Sequence, residues 1–241
     1  MSSLTYNLGT RRFPTMLSGS RSYTVEVAIH TILYVRQVYP ADLFVRRKKY
    51  ETPVYQSRHP GLNEYITGAV RAMNDELALG SVEKVVVVIK DKDEVALERF
   101  IFSIQNMIAS RVIQQGHKVL WPTTSLGQYF RSFMVKLNMI ESQLAELPRD
   151  GENTFAIVME LREGEAPSTT PHKDDPPPWI PATTQHTTSG ASEKAELHMV
   201  RAVDTGVVNL SLAVQESAHK LRILAELNSS TNVEQIQVQE S

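Results

Sequence analysis

Residues 82–91 read Val82-Glu83-Lys84-Val85-Val86-Val87-Val88-Ile89-Lys90-Asp91. Four valines and an isoleucine in succession crowd a helix but fit a pleated sheet. No polar residue interrupts the run, so it predicts a strand covered on both faces. It is far too short to span a bilayer. Lys90-Asp91-Lys92-Asp93 reads as a turn. Beyond it Leu97, Arg99, Ile101 and Ser103 alternate with Glu98, Phe100, Phe102 and Ile104, which predicts a hairpin partner strand.

Working outward, the period changes to that of a helix. Val25, Ile29, Ile32 and Leu33 form one stripe, and the helix should stop at Tyr39-Pro40. Arg46-Arg47-Lys48-Lys49 follows in a loop or hairpin. Leu62, Tyr65, Ile66, Ala69, Met73 and Leu77 predict a second helix over about 62–79, closed by Gly80. Leu126, Phe130, Phe133, Leu137, Ile140 and Leu144 predict a third, with Thr123, Thr124 and Ser125 as caps and Pro148 just beyond. Phe155, Ile157, Met159 and Leu161 then alternate as a strand. Residues 164–192 hold six of the twelve prolines, and with few large apolar residues they read as a long linker. Strand patterns return over Glu196–Val203 and Val208–Val214.

This order predicts an α+β fold, three helices on an antiparallel sheet. The first 21 residues show no sustained period and are expected to be a flexible arm. The main domain covers residues 22–220. Residues 221–241 are expected to form a polar tail.

The chain has 241 residues, with 25 Lys+Arg against 27 Asp+Glu. A net charge of −2 argues against a nucleic-acid coat, since phosphate binding needs concentrated positive charge. There is no cysteine, which excludes a disulfide scaffold, a thiolate zinc site, an iron–sulfur cluster and a cysteine nucleophile. Residues 1–20 lack an apolar signal core, so an intracellular protein is expected.

Catalytic patterns are missing. There is no phosphate-binding glycine loop, no G-x-S-x-G and no H-E-x-x-H. The seven histidines (His30, His59, His117, His172, His186, His198, His219) include no two at metal-clip spacing. No cofactor, metal site or enzyme activity is expected. Asp91/Asp93 and Asp174/Asp175 are carboxylate pairs, but the first suits a turn and the second a linker. Arg46–Lys49 suits a solvated loop, with nuclear targeting or a phosphate contact as the alternative. Trp179 lies in a segment too polar to fold alone. Its ring either staples the linker onto the domain or clamps a bound peptide.

Several blocks of the sequence resemble the HORMA domain family. They begin with Val25-Glu26-Val27-Ala28-Ile29-His30, Ile32-Leu33-Tyr34-Val35-Arg36 and Val38-Tyr39-Pro40. Phe44, Arg47-Lys48-Lys49-Tyr50, Pro53-Val54, His59-Pro60, Leu62-Asn63 and Tyr65-Ile66 follow in order. The strand at 82–89 is the densest match. Arg131-Ser132-Phe133, Lys136-Leu137, Pro178-Trp179-Ile180 and Ala218-His219-Lys220 complete it. Within the family, the accessory subunits of DNA polymerase zeta are the branch these blocks resemble.

The resemblance implies a C-terminal safety belt, here about residues 164–216, that wraps a proline-containing partner segment added to the sheet edge. It implies that Tyr65 and Trp179 hold a peptide of the polymerase zeta catalytic subunit. Leu197, Ser211 and Ala213 fall on a second surface, for a scaffold lesion-bypass polymerase. Better-known members carry a larger amide and an aromatic residue at the last two positions. Arg131, with Arg46 nearby, falls at an interface for homo- or heterodimers of HORMA domains. The implied function is a non-catalytic adaptor in translesion synthesis, in the nucleus. Nucleic acid would be engaged only indirectly, with no membrane, and an ATP-driven HORMA remodeller is a further implied partner. The rival within the family is a spindle-checkpoint protein gripping checkpoint and cyclosome-activator peptides.

Overall fold

The valine run becomes β4 (Val82–Lys90), the central strand of a seven-stranded sheet in a computed structural model. The structure describes residues 5–8, 22–106, 123–148, 153–168, 179–182, 196–204 and 208–239. Antiparallel neighbours flank β4, namely β5 (Ala96–Asn106) and β6 (Thr154–Leu161). Outside β5 lie β9 (Val208–Glu216) and then β8 (Glu196–Asp204). Outside β6 lie β1 (Thr5–Leu8) and then β7 (Trp179–Pro181). The order is β7-β1-β6-β4-β5-β9-β8. A separate hairpin joins β2 (Phe44–Lys49) and β3 (Thr52–Ser57).

The run is buried on both faces, as its composition demands. Val85, Val87 and Ile89 belong to the main core with Phe100, Phe102, Ile157, Met159 and Leu212. Val86 and Val88 form a second cluster with Ala96, Ala156 and Val158, and Ala182 of the belt packs on it.

Helices α1 (Ser22–Val35), α2 (Pro60–Leu79) and α3 (Thr123–Asn138) contribute to the main core through Ile29, Ile32, Leu33, Ile66, Met73, Phe133 and Leu137. The α1 stripe ends before Tyr39-Pro40 because the chain turns at Gln37 (φ 51°). There the Val38 N–H donates to the Leu33 carbonyl and the Gln37 N–H to the Tyr34 carbonyl. This is a Schellman closure, and it buries Val38. In α2 the His59 side chain caps the Leu62 N–H, and Gly80 (φ 78°) supplies the left-handed stop. The α3 pattern extends to Leu144, but the helix stops at Asn138 and a 3-10 turn (Ile140–Gln143) carries Ile140 into the core.

One terminal expectation needs correction, and another gains detail. Residues 1–21, expected to be a flexible arm, include β1, which is paired on both sides. Strand pairing uses backbone groups alone, so no side-chain period advertises it. The polar tail expected at 221–241 is helical, because α4 runs from Ala218 to Gln239. Helices close their own hydrogen bonds without an apolar stripe, and the Lys220–Leu227 stretch is rich in good helix formers. Four α-helices are therefore present among the described residues. No helix among them is long and apolar enough to cross a membrane.

Candidate functional site

β6 is apolar on both faces, with Ile157, Val158 and Met159 fully buried. Its ladder to β4 runs the length of the strand, whereas among the described residues its other edge meets only β1, through Thr5, Tyr6 and Asn7. β1 pairs Thr5 with Glu160, Tyr6 with Met159 and Asn7 with Val158. On its far side it pairs Tyr6 with Pro181, Asn7 with Ile180 and Leu8 with Trp179. The sheet therefore has a one-strand slot between β6 and the belt strand β7.

Both expected peptide-holding residues stand at one end of this slot. Continuing the antiparallel register one step sets Leu8 opposite Ile157. The Ile157 N–H donates to the Tyr65 hydroxyl at 3.4 Å. Trp179 faces the same Leu8 from the other side. Tyr65 reaches β6 because α2 packs on this face, and its ring meets Phe155 edge-on at 5.6 Å. Burial pushes the Tyr65 phenol pKa above its ordinary value. It therefore stays protonated and keeps a hydrogen to offer an incoming carbonyl. Trp179 is 2% exposed, and its Nε1–H has no hydrogen-bond partner among the described residues. Such an orphan costs about 1–3 kcal/mol, and a ligand acceptor placed there would recover it. Trp179 is packed into this chain's own core and paired with Leu8, which is the stapling alternative.

Two polar clusters lie near the ends of the expected belt segment, built by residues that sequence reasoning did not single out for this work. At its start, Ser168 donates its backbone N–H to Glu76 Oε1 at 2.7 Å, and its hydroxyl bonds the same atom. Ser81 donates its hydroxyl to Glu76 Oε2 at 3.0 Å. At its end, Lys220 is completely buried. Its Nζ donates to Glu98 Oε1 at 2.6 Å, to the Ala145 carbonyl at 2.7 Å and to Glu216. Arg36 donates to both Glu98 oxygens, at 2.9 and 2.6 Å, and to the same Ala145 carbonyl. Two cations and two carboxylates balance, which makes their burial tolerable. One signal was legible. Glu98 falls in the inward phase of β5, in step with Phe100 and Phe102, and a carboxylate in that phase demands a partner.

The remaining predicted residues form a separate region. Leu197 lies on β8, and Ser211 and Ala213 on β9, where they pair with Ala202 and Met199. Leu197 and Met199 are 56% and 63% exposed. This hairpin is at the opposite edge of the sheet from the slot. Arg131 of α3 shares a shallow groove with Gln128, Val135, Lys136 and Arg201. The β2–β3 hairpin also approaches it. Lys48 lowers the Glu51 carboxyl pKa by a hydrogen bond and its charge, and Arg131 adds a smaller pull. Arg46 is on the same hairpin, paired with Tyr55. The structure thus brings Arg131 to the basic hairpin and keeps both away from Tyr65 and Trp179.

The other chemical candidates have structural partners. Asp91 Oδ1 accepts from the Asp93 and Val95 N–H groups, both at 2.9 Å, and Oδ2 meets His219 at 3.1 Å. It shapes the β4–β5 turn. Asp174 and Asp175 lie outside the described residues. His30 is buried, its Nδ1 accepts from the Ser57 N–H, and burial lowers its pKa to about 4. No group of three or more His, Asp or Glu suited to a metal ion occurs among the described residues.

Known proteins share this fold. The HORMA domain family model matches residues 22–208. Human mitotic spindle assembly checkpoint protein MAD2B is 33% identical over 206 residues, covering 81% of this chain and 89% of that protein. The DNA polymerase zeta processivity subunit of Schizosaccharomyces pombe is 36% identical over 141 residues, covering 57% of this chain and 65% of that one. Among solved structures, a chain of the mitotic checkpoint complex superposes with a TM-score of 0.61 at 19% identity, covering 82% of this chain and 96% of that chain. Caenorhabditis elegans HTP-2 bound to a HIM-3 closure motif gives 0.59 at 11% identity, covering 81% and 87%. From the family model and these relatives, the chain belongs to the HORMA domain family.

Proposed function

We propose that this protein is a non-catalytic adaptor that holds a proline-containing peptide of the DNA polymerase zeta catalytic subunit under its belt, and so serves translesion synthesis. The observation that carries this reading is the one-strand slot between β6 and β7, bracketed by Tyr65 and Trp179. A peptide strand there gains backbone hydrogen bonds from β6, and the belt then covers it. Because release requires the belt to open, dissociation is slow. Its relatives named as polymerase zeta processivity subunits support this choice of partner. The exposed Leu197 edge would receive the scaffold lesion-bypass polymerase, and the Arg131 groove a second HORMA domain. The adaptor would work in the nucleus, where an ATP-driven remodeller could reopen the belt.

A second reading has its own support. The more extensively matching relatives carry the spindle-checkpoint name. In that reading the slot grips checkpoint and cyclosome-activator peptides by the same mechanism. Calorimetry with a proline-containing peptide from the cognate polymerase zeta catalytic subunit decides between them. Tight binding, weakened at least tenfold (about 1.4 kcal/mol) by Tyr65→Ala or Trp179→Ala, supports the polymerase reading. No binding by folded wild type sinks it and transfers the slot to checkpoint peptides.

A further inference from the structure

The slot that a partner strand would fill holds a segment of this chain. β1 is neither at the rim nor on a second surface. It lies between β6 and β7, hydrogen-bonded to both, with Leu8 at the position that Tyr65 and Trp179 bracket. We propose that Thr5–Leu8 is a built-in competitor of the partner peptide, occupying the slot in the unliganded protein and leaving it when the partner enters. The proposal rests on the reading of the β6–β7 slot as the peptide site.

Three features support it. The first is the edge itself. β6 carries a buried apolar run, Ala156 to Met159, and bare edges of that kind pair with other chains. An internal strand closes the edge whenever no partner does.

The second is the tether. Thr5–Leu8 is uncharged, and Thr and Tyr favour strands. Four residues make too few contacts to bind well as a free peptide. Joined to α1 through residues 9–21, the segment is present at an effective concentration in the millimolar range. That is enough to hold a weak strand in place, and it still allows a longer partner strand to win.

The third is the fit, which is incomplete. The Trp179 Nε1–H is buried without a partner among the described residues while β1 is in place. A partner that brings an acceptor to this point gains a hydrogen bond that the internal strand does not provide. The competition then lowers apparent partner affinity by the fraction of time the slot is free.

The chain has no cysteine, so an engineered pair reports cleanly. Asn7 and Ile180 are register partners, and such pairs lie within disulfide reach. Ile180 is also exposed. In the full chain carrying Asn7→Cys and Ile180→Cys, oxidation should give an intramolecular disulfide with the mass of a monomer. The probe is a fluorescent, proline-containing peptide from the cognate polymerase zeta catalytic subunit. It should bind the oxidised form at least tenfold more weakly than the reduced form, and reductant should restore binding. A full chain with Tyr6→Pro and Asn7→Pro, which removes successive strand donors, should bind the probe more tightly than wild type.

Failure of the disulfide to form overturns the proposal. A disulfide between two chains also overturns it, because the occupant is then a second copy's segment. Equal probe binding by oxidised and reduced forms overturns the competition. A disulfide that forms while neither form binds the probe sinks the partner reading, and the competition with it.

Discussion

Leu8 and Trp179 are register partners across the β1–β7 ladder, and Trp179 is buried there with its indole N–H unsatisfied among the described residues. A buried tryptophan thus sits against the chain's own N-terminal strand, at the cost of one hydrogen bond.

That orphan makes two substitutions at one site diverge. Trp179→Ala removes a fully buried ring and should cost about 3–5 kcal/mol, less whatever local opening of the belt relieves. Trp179→Phe loses some area but also deletes the unpaired donor, so it should cost less than about 1.5 kcal/mol. Urea melts with unchanged slope would read both values. Equal losses would mean that the indole N–H has a partner.

In the first turn of α4, Lys220 joins Glu98 and Glu216. Lys220→Met keeps the volume but takes the ammonium away from both carboxylates, leaving Glu98 with Arg36 and Glu216 with His198 and the Ala145 N–H. A loss of about 3–5 kcal/mol is expected. Lys220→Met with Glu216→Gln should recover part of it, because the double change removes one charge of each sign. Chemical denaturation of the four chains in a double-mutant cycle measures the coupling.

His30 gives a pH dependence of fixed sign. Its pKa is about 4 in the folded chain and near 6.5 unfolded. The unfolded state therefore takes up the proton first. The stability held by neutral His30 is complete above about pH 6.5 and is lost as pH falls toward 4, roughly 3 kcal/mol in all. In His30→Asn the melting temperature should fall less steeply across that window. An unchanged slope would place the acid sensitivity elsewhere.

The hairpin turn of β2 and β3 has Tyr50 and Glu51 at φ 49° and 57°. Such turns prefer Asn-Gly, because left-handed backbone strains a residue with a Cβ. Glu51→Gly should stabilise the fold by about 0.5–1 kcal/mol, and thermal melts would detect the rise. Destabilisation would show that the side chain of Glu51 does more than sit at the turn.

Leu197 and Arg131 are remote from the slot. Alanine at either position should shift stability by no more than about 0.5 kcal/mol and leave peptide affinity at Tyr65 and Trp179 unchanged. Under the proposed function, any effect should appear in binding of a scaffold polymerase for Leu197 and in dimerisation for Arg131. A loss of peptide affinity on either change would show that the surfaces are coupled.

Much of this was legible in the sequence. The valine run required a strand covered on both faces, and it became the centre of the sheet. Apolar periods located α1, α2 and α3, and a lone tryptophan in a polar linker marked a segment that returns to the core, because each signal is carried by nearby residues. Where α1 stops, a one-residue left-handed turn at Gln37 overrode the proline signal. What tertiary structure alone decided is long-range pairing. Nothing in Thr5–Leu8 announces β1, because its bonds are backbone bonds to Val158–Glu160 and Trp179–Pro181. Nothing local joins Arg36, Glu98 and Lys220, because burial makes them partners and burial is a property of the whole fold. The sequence by itself determined the core helices, the central strands and the family. Only the folded sheet, with one edge open to a single strand, decided which segment closes it.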